Sequence, residues 1–351
     1  MTHIAKPSAR HPNLPTNALG LTYRDYEGSV STLCAGCGHD SVTGAIVQAF
    51  WRLAVEPYRV VKLSGIGCSS KTPTYFLRDA HGFNSVHGRM PSVATGANAA
   101  NGELMYIGIS GDGDSLSIGL GQLCHASRRN VNLTYVLENN GVYGLTKGQF
   151  SASADVGTKA KRGAINQSPP IDPALLGLTL GAGFVARSFS GDKAQLVPIL
   201  EAALRYKGFA LIDVISPCVT FNDHKGSTKS YVYTREHYRE VTEANLVPHQ
   251  SEITVQQAPG EPRRVRLHDG SNVVLTSVDG QYDPTDRAAA FAHLSTLAAR
   301  GEVATGILYM QESEGDMHTQ NHTDGKALVE VPYAELCPGS HALSTLMDEF
   351  R

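Results

Sequence analysis

Four short apolar runs in this chain each end beside a residue that can do chemistry, and that agreement limits the fold more than any other feature. A run over 58–66 leads into Gly67 and Cys68, and one over 104–109 opens onto Gly111-Asp112-Gly113. A third, over 131–137, leads to Asn139-Asn140-Gly141, and a fourth, over 209–215, stops just short of Cys218. Between them apolar residues recur at helical spacing over 42–55, 116–128 and 194–206, with a shorter helix at 175–181 and a short strand at 184–187. Near-continuous apolar strands that alternate with helices predict an α/β fold whose mostly parallel sheet is covered on both faces. Such sheets bind ligands at the carboxyl ends of their strands. Those are the places where the runs deliver Cys68, Asp112, Asn140 and Cys218.

At 351 residues the chain can bury a large core. The expected division is an N-terminal arm over 1–20, an α/β domain over 21–232, and an extension over 233–351 packed on it. The segment 222–229 reads as a mobile loop and 259–264 as a turn. A strand over 273–278, a helix over 284–299 with Asp283-Pro284-Thr285 at its start, and a strand over 305–310 follow. A net charge of −3 without a basic run argues against a nucleic-acid partner. No apolar stretch is long enough to span a membrane. With no apolar signal core near Met1, and six cysteines too few for a disulfide scaffold, a reducing cytoplasm is expected.

In that compartment clustered cysteines need another reason, and metal ligation is the usual one. Cys34-Ala35-Gly36-Cys37-Gly38-His39 holds two thiols three positions apart, while Cys68 and Cys218 stand alone at distant strand ends. Four thiolates suit either zinc or a [4Fe–4S] cluster. Zinc sites normally use two close pairs, so one pair plus two single cysteines favours the cluster, with zinc and ordinary buried or redox cysteines as alternatives. Cys124, in a helical run, and Cys337, in the tail, read as unligated. Asp112 can offer a carboxylate oxygen, Asn140 an amide oxygen and Val142 a carbonyl to a hard divalent cation. Diphosphate oxygens and water would complete the shell, and a helix from Ser115 would turn free N–H groups toward phosphate. Gly-Asp-Gly alone is weak; Asn139-Asn140-Gly141 after the next strand strengthens it.

On these residues the sequence resembles the β subunit of 2-oxoacid:ferredoxin oxidoreductases. The matching stretches are 34–39, 64–70, 87–89, 111–115, 138–149 and 215–218, within roughly 23–232. The resemblance implies thiamine diphosphate, Mg2+ and a [4Fe–4S] cluster. It implies that Cys34, Cys37, Cys68 and Cys218 hold the cluster, and that Asp112, Asn140 and Val142 hold the magnesium. It implies a cofactor wall of Ile66, Gly67, Cys68 and Ser69, then His87, Gly88 and Arg89, then Gly111, Gly113 and Asp114, and finally Tyr143, Gly144, Leu145 and Thr146. His87 is expected near the cofactor or the reacting centre, and Lys71 and Lys147 as cations for an acidic substrate or coenzyme. Lys159, Lys161 and Arg162 read as a solvated patch or a face for a redox partner.

The implied partners are an α subunit that supplies the activating glutamate, ferredoxin, coenzyme A and a 2-oxoacid. The segments 282–287 and 316–318 resemble the larger β subunits of 2-oxoglutarate-type members, although His318 reads as structural. The expected reaction is the coenzyme A-dependent oxidative decarboxylation of 2-oxoglutarate to succinyl-CoA, with electrons passing through the cluster to ferredoxin. Pyruvate or a branched-chain 2-oxoacid stands as an alternative substrate. A non-redox thiamine-diphosphate decarboxylase with structural zinc, or a protein carrying the cluster alone, stands as an alternative class.

Overall fold

The first helix forms where apolar side chains fall on one stripe. In the computed structural model, which describes residues 11–160, 163–247, 262–278, 280, 282–337 and 339–350, α1 (Gly38–Arg52) buries Val42, Ala45, Ile46, Ala49 and Phe50. Next come β1 (Val60–Ser64), β2 (His81–Asn84), α2 (Met90–Ala100), β3 (Met105–Gly111), α3 (Leu120–Arg128) and β4 (Leu133–Asn139). A two-residue hairpin, β5 (Val142–Tyr143) and β6 (Gln149–Phe150), precedes α4 (Pro173–Thr179), β7 (Phe184–Phe189), α5 (Lys193–Arg205) and β8 (Phe209–Ile215). The remainder comprises α6 (Tyr231–His237), β9 (Tyr238–Glu240), β10 (Thr242–Val247), β11 (Arg263–Arg266), β12 (Asn272–Ser277), α7 (Arg287–Ala299) and β13 (Val303–Met310), then α8 (Met317–Gln320), α9 (Tyr333–Leu336) and α10 (Gly339–Asp348).

Eight strands make one sheet in the order β2-β1-β3-β4-β8-β7-β13-β9. The first six run parallel; β13 lies antiparallel to β7, and β9 pairs parallel with β13. A second, antiparallel sheet is ordered β10-β12-β11. Alternate residues of a strand face opposite sides, and the core divides accordingly. Val136, Ile212 and Ile307 join Phe50 and Leu200 on one face. Their neighbours Tyr135, Leu211 and Leu308 join Met90, Leu123 and Leu294 on the other. Burial on both faces is why these strands read as near-continuous apolar runs. From β1 the chain moves outward to β2, then returns to β3 on the other side of β1. The strand order reverses there, leaving a crevice at the carboxyl ends of β1 and β3.

The structure departs from the sequence reading in several places. The helix expected over 116–128 is interrupted. A wide π-helical turn, Gly113–Ile118, ends when the Gly119 N–H bonds to the Asp114 carbonyl at 2.8 Å, and only then does α3 begin. The helix expected over 284–299 is capped by Asp286, whose carboxylate accepts from the N–H groups of Ala288 and Ala289. Asp283 instead closes a turn onto Thr285. The segment 222–229 is tethered rather than loose. Asn222 and Ser227 are buried, and Thr228 bonds to Asp155 through both its N–H and its hydroxyl. The arm residues 1–10, Lys161 and Arg162, and 259–261 of the expected turn lie outside the described residues. Among the described residues, no helix is long and apolar enough to cross a membrane.

Lys62 of β1 is a buried cation whose Nζ donates to the carbonyls of Phe76 (2.6 Å) and Leu77 (2.7 Å). Burial lowers its pKa from 10.5 to about 8. Below pH 8 both folded and unfolded chains hold the proton, and between pH 8 and 10.5 only the unfolded chain does. Unfolding therefore takes up a proton in that window, and this contribution to stability rises with pH. Compared with Lys62→Met in urea unfolding, the unmodified chain is expected to gain up to about 3 kcal/mol between roughly pH 7.5 and pH 10.5. Parallel pH profiles for the two chains would contradict this.

Candidate functional site

The crevice at the strand-order reversal holds a cleft of about 460 Å³. Every residue of the expected cofactor wall lines it except Gly88 and Arg89, and His39 joins them. Asp112 follows β3 directly and is 1% exposed. Its Oδ2 accepts from the Gly141 N–H (2.8 Å), the Ser151 hydroxyl (2.5 Å) and the Ser153 hydroxyl (2.6 Å). The end of β3 is thereby tied to the loop after β4. Burial pushes the Asp112 pKa up even against these donors, the condition that a neighbouring cation relieves. Asn140 follows β4. Its Oδ1 accepts from the Val142 N–H (3.0 Å), and its Nδ2 lies 3.4 Å from His39 Nε2. Asp112, Asn140 and Val142 thus share one wall, with oxygen donors of the kind a hard cation takes.

Other expected residues have narrower jobs. Asp114 accepts from the Gly88 N–H (2.8 Å) and the Ser110 hydroxyl (2.9 Å), clamping the 87–89 turn to β3. A side chain on Gly65 would collide with that carboxylate. Gly88 has φ +68 and packs against Gly119, so the interrupted helix makes room for this turn. His87 is exposed at the cleft, while Arg89 sits at the N-terminus of α2, outside it. Lys71 is half-buried in the turn Ser69–Thr74, and Lys147 is exposed in the β5–β6 turn at φ 77. Neither lysine lines the cleft.

The cysteine segments meet beside it. The Cys37 N–H bonds to the Cys34 carbonyl (3.0 Å), and the Gly38 N–H to the Pro217 carbonyl (3.2 Å). The first pair is thereby laid against the Cys218 turn. A carbon added to Gly144 would lie 3.4 Å from Cys68 Sγ and 3.7 Å from Cys218 Sγ. All four thiols are free, as are Cys124 and Cys337. Burial pushes Cys37 up to about 12, with Glu138 and Cys218 adding to it. Burial likewise raises Cys68 and Cys218. Thiolates here need a positive centre. Among the described residues, no three His, Cys, Asp or Glu side chains gather closely enough to hold one metal ion. The sulfurs of Cys68 and Cys218 thus both lie near Gly144, with the Cys34–Cys37 turn laid beside the Cys218 loop.

Several contributors carried no recognisable signal in the sequence. Ser151 and Ser153 reach Asp112 across 39 and 41 residues. Asn222 donates from Nδ2 to the Asn140 carbonyl (2.8 Å), and its N–H bonds to the Cys218 carbonyl (2.9 Å). His39 is 1% exposed, and burial lowers its pKa to about 4. Its place beside Cys37 could have drawn attention to it. His318 is structural, bonding the Asn98 carbonyl (2.8 Å) and Thr323. A larger cavity, about 800 Å³, lies behind Asn139 and Ser153. Its charges are paired, Arg187 with Asp172 and Asp213, Lys229 with Asp155, and Glu302 with Arg239 outside it.

Residues 65–214 match the family described as "Thiamine pyrophosphate enzyme, C-terminal TPP binding domain". The chain is 42% identical over 206 residues to a 2-oxoacid:ferredoxin oxidoreductase subunit beta of Saccharolobus solfataricus, covering 58% of this chain and 65% of that one. It is 36% identical over 204 residues to the 2-oxoglutarate synthase subunit KorB of Methanocaldococcus jannaschii, covering 57% and 74%. Among solved structures, it is similar to a 2-oxoglutarate:ferredoxin oxidoreductase from Magnetococcus marinus with 2-oxoglutarate, coenzyme A and succinyl-CoA bound. The TM-score is 0.70 at 28% identity, over 88% of this chain and 92% of that one. The chain spans just under two thirds of the length of three of the curated relatives it matches, at 65%, 63% and 63%.

Proposed function

The chain belongs to the β subunits of the 2-oxoacid:ferredoxin oxidoreductases, and on that premise we propose that it works in the coenzyme A-dependent oxidative decarboxylation of 2-oxoglutarate to succinyl-CoA, with ferredoxin as electron acceptor. The observation that carries the reading is the double role of Gly144. It lines the cleft with Asp112, Asn140 and Val142, and it also abuts the sulfurs of Cys68 and Cys218. Bound thiamine diphosphate supplies a nucleophilic carbon and an electron sink for the 2-oxoacid, and a [4Fe–4S] cluster supplies one-electron acceptance.

The chain's own residues hold and orient these groups. Asp112, Asn140 and the Val142 carbonyl would hold Mg2+ against the diphosphate. Cys34, Cys37, Cys68 and Cys218 would hold the cluster. Asp114 keeps the 87–89 turn in place so that His87 stands at the cleft, able to donate or accept a proton. Lys147, one residue beyond Thr146 of the cleft wall, and Lys71, two beyond Ser69, are the candidate partners for carboxylate or coenzyme charges. The preference for 2-oxoglutarate is supported by the names of several relatives and by the molecules bound in the Magnetococcus marinus structure. The α/β unit over 21–232 carries the site residues, with 233–351 joined to it. The free cysteines suit a reducing compartment.

Among the described residues, the acidic side chains that line the cleft are Asp112 and Asp114, and both are committed to other donors. A carboxylate from an α subunit would activate the cofactor. Anaerobic co-purification with the α subunit is expected to yield iron, sulfide, magnesium and thiamine diphosphate at roughly 4:4:1:1. Ferredoxin reduction should require both chains and favour 2-oxoglutarate over pyruvate in competition. A colourless zinc protein, or full turnover by this chain alone, would overturn the proposal.

A further inference from the structure

We infer that Glu138 and His39 form a strut that holds the magnesium loop and the cysteine loops as one unit, a positioning role toward both cofactors that rests on the reading above. Glu138 is fully buried near the end of β4, in register with Gly111 of β3 and Val214 of β8. The Thr72 hydroxyl donates to both its oxygens, at 3.1 Å each. His39 Nδ1 lies 3.5 Å from Oε2. These partners belong to different cysteine segments. His39 follows Cys37 by two positions, and Thr72 follows Cys68 by four. His39 Nδ1 also sits 2.8 Å from the hydroxyl of Ser216, just before Pro217 and Cys218. Cys34 closes the same turn as Cys37. Directly or through one imidazole, a single carboxyl reaches the loops of all four thiols.

The other edge of His39 serves the magnesium side. Asn140 Nδ2 can only donate, so His39 Nε2 accepts at 3.4 Å and the ring proton sits on Nδ1, toward Ser216 and Glu138. With its nitrogen held by the imidazole, the Asn140 amide turns Oδ1 the other way, toward the Val142 N–H (3.0 Å). A hard cation needs the oxygen, not the amino group. Groups that orient a ligand in this way change metal affinity by about 10–100-fold when removed. A purely structural role explains the strut poorly. Burying an acid with one hydroxyl and one imidazole near it costs free energy that an apolar side chain of similar size would not.

The test uses the assembled enzyme with Glu138→Leu and Glu138→Gln. Two quantities are read: the Mg2+ concentration that half-saturates thiamine diphosphate binding, and the rate at which the cluster's visible absorbance is lost in air. Glu138→Leu is expected to raise the first by about 10–100-fold and to speed the second. Glu138→Gln keeps an acceptor for Thr72 and His39 and is expected to behave like the unmodified enzyme. A Glu138→Leu enzyme with either quantity unchanged overturns the strut. If that variant yields no soluble complex, Thr72→Val decides. The same two shifts, smaller, are expected of it, and no shift in either overturns the inference. An unmodified enzyme that holds neither cofactor instead overturns the proposed function and leaves a different result on record.

Discussion

Asp112→Asn is expected to weaken Mg2+-dependent thiamine diphosphate binding by at least about 100-fold, or ~3 kcal/mol, while leaving thermal stability close to that of the unmodified chain. The side chain is nearly isosteric, and its oxygen can still accept from Gly141, Ser151 and Ser153, the three donors that converge on Oδ2. What disappears is the negative charge. Burial already holds this carboxyl's pKa above the ordinary carboxylate value, so a divalent ion is the partner that would make the buried charge favourable. Asp112→Ala differs in a useful way. It strands the Gly141 N–H, at a cost of about 1–3 kcal/mol, while Ser153 keeps Asn139 Oδ1 and Ser151 keeps Ser153 as partners, so it should lose stability as well as cofactor. Titration of thiamine diphosphate at fixed Mg2+, paired with thermal unfolding, separates the two effects. Unchanged affinity in Asp112→Asn would remove the metal from this wall of the cleft.

The second large effect is expected from Cys218→Ala. Loss of one thiolate of four should abolish the visible absorbance of the anaerobically purified complex and its ferredoxin reduction, while thiamine diphosphate still binds. The separation is physical. The backbone of residue 218 is tied to the magnesium loop through Asn222, whose N–H bonds to the Cys218 carbonyl and whose Nδ2 bonds to the Asn140 carbonyl. Those bonds survive removal of the sulfur. Iron and sulfide analysis with a cofactor titration is the check. A Cys218→Ala complex that keeps its full iron content would show that the four thiols are not one ligand set. Cys124→Ala, on α3 away from the cleft, is the matched control.

The parts of this fold legible from sequence were those buried on two sides. β1, β4 and β8 are buried along their whole length and mostly apolar because both faces of the sheet are covered, and their ends announce themselves by glycine, asparagine and cysteine. β2 gave no such signal. All four of its residues are exposed, and it is held as an edge by pairing to β1. Yet it delivers His87 to the cleft. The break before α3 was also hidden, because Gly119 is needed there by the approach of Gly88 from a distant turn. The same holds for the serines that hold Asp112 and for Asn222. Their roles depend on partners tens of residues away, and local spacing does not encode such contacts. His39 was visible as a residue but not as a buried, neutral hinge between two loops.

The way β13 enters the sheet has a consequence for how this polypeptide can be divided. Every residue that lines the cleft precedes the extension, yet the strand covering β7 arrives from beyond residue 300. A chain halted after α6 would keep its chemistry on paper and lose its hem. The outer margin of β7 would stand open, a row of unclaimed amides and carbonyls ready to zip onto another molecule. The late third of the polypeptide is therefore a selvedge. Among the described residues it adds none to the cleft, but the fabric frays without it.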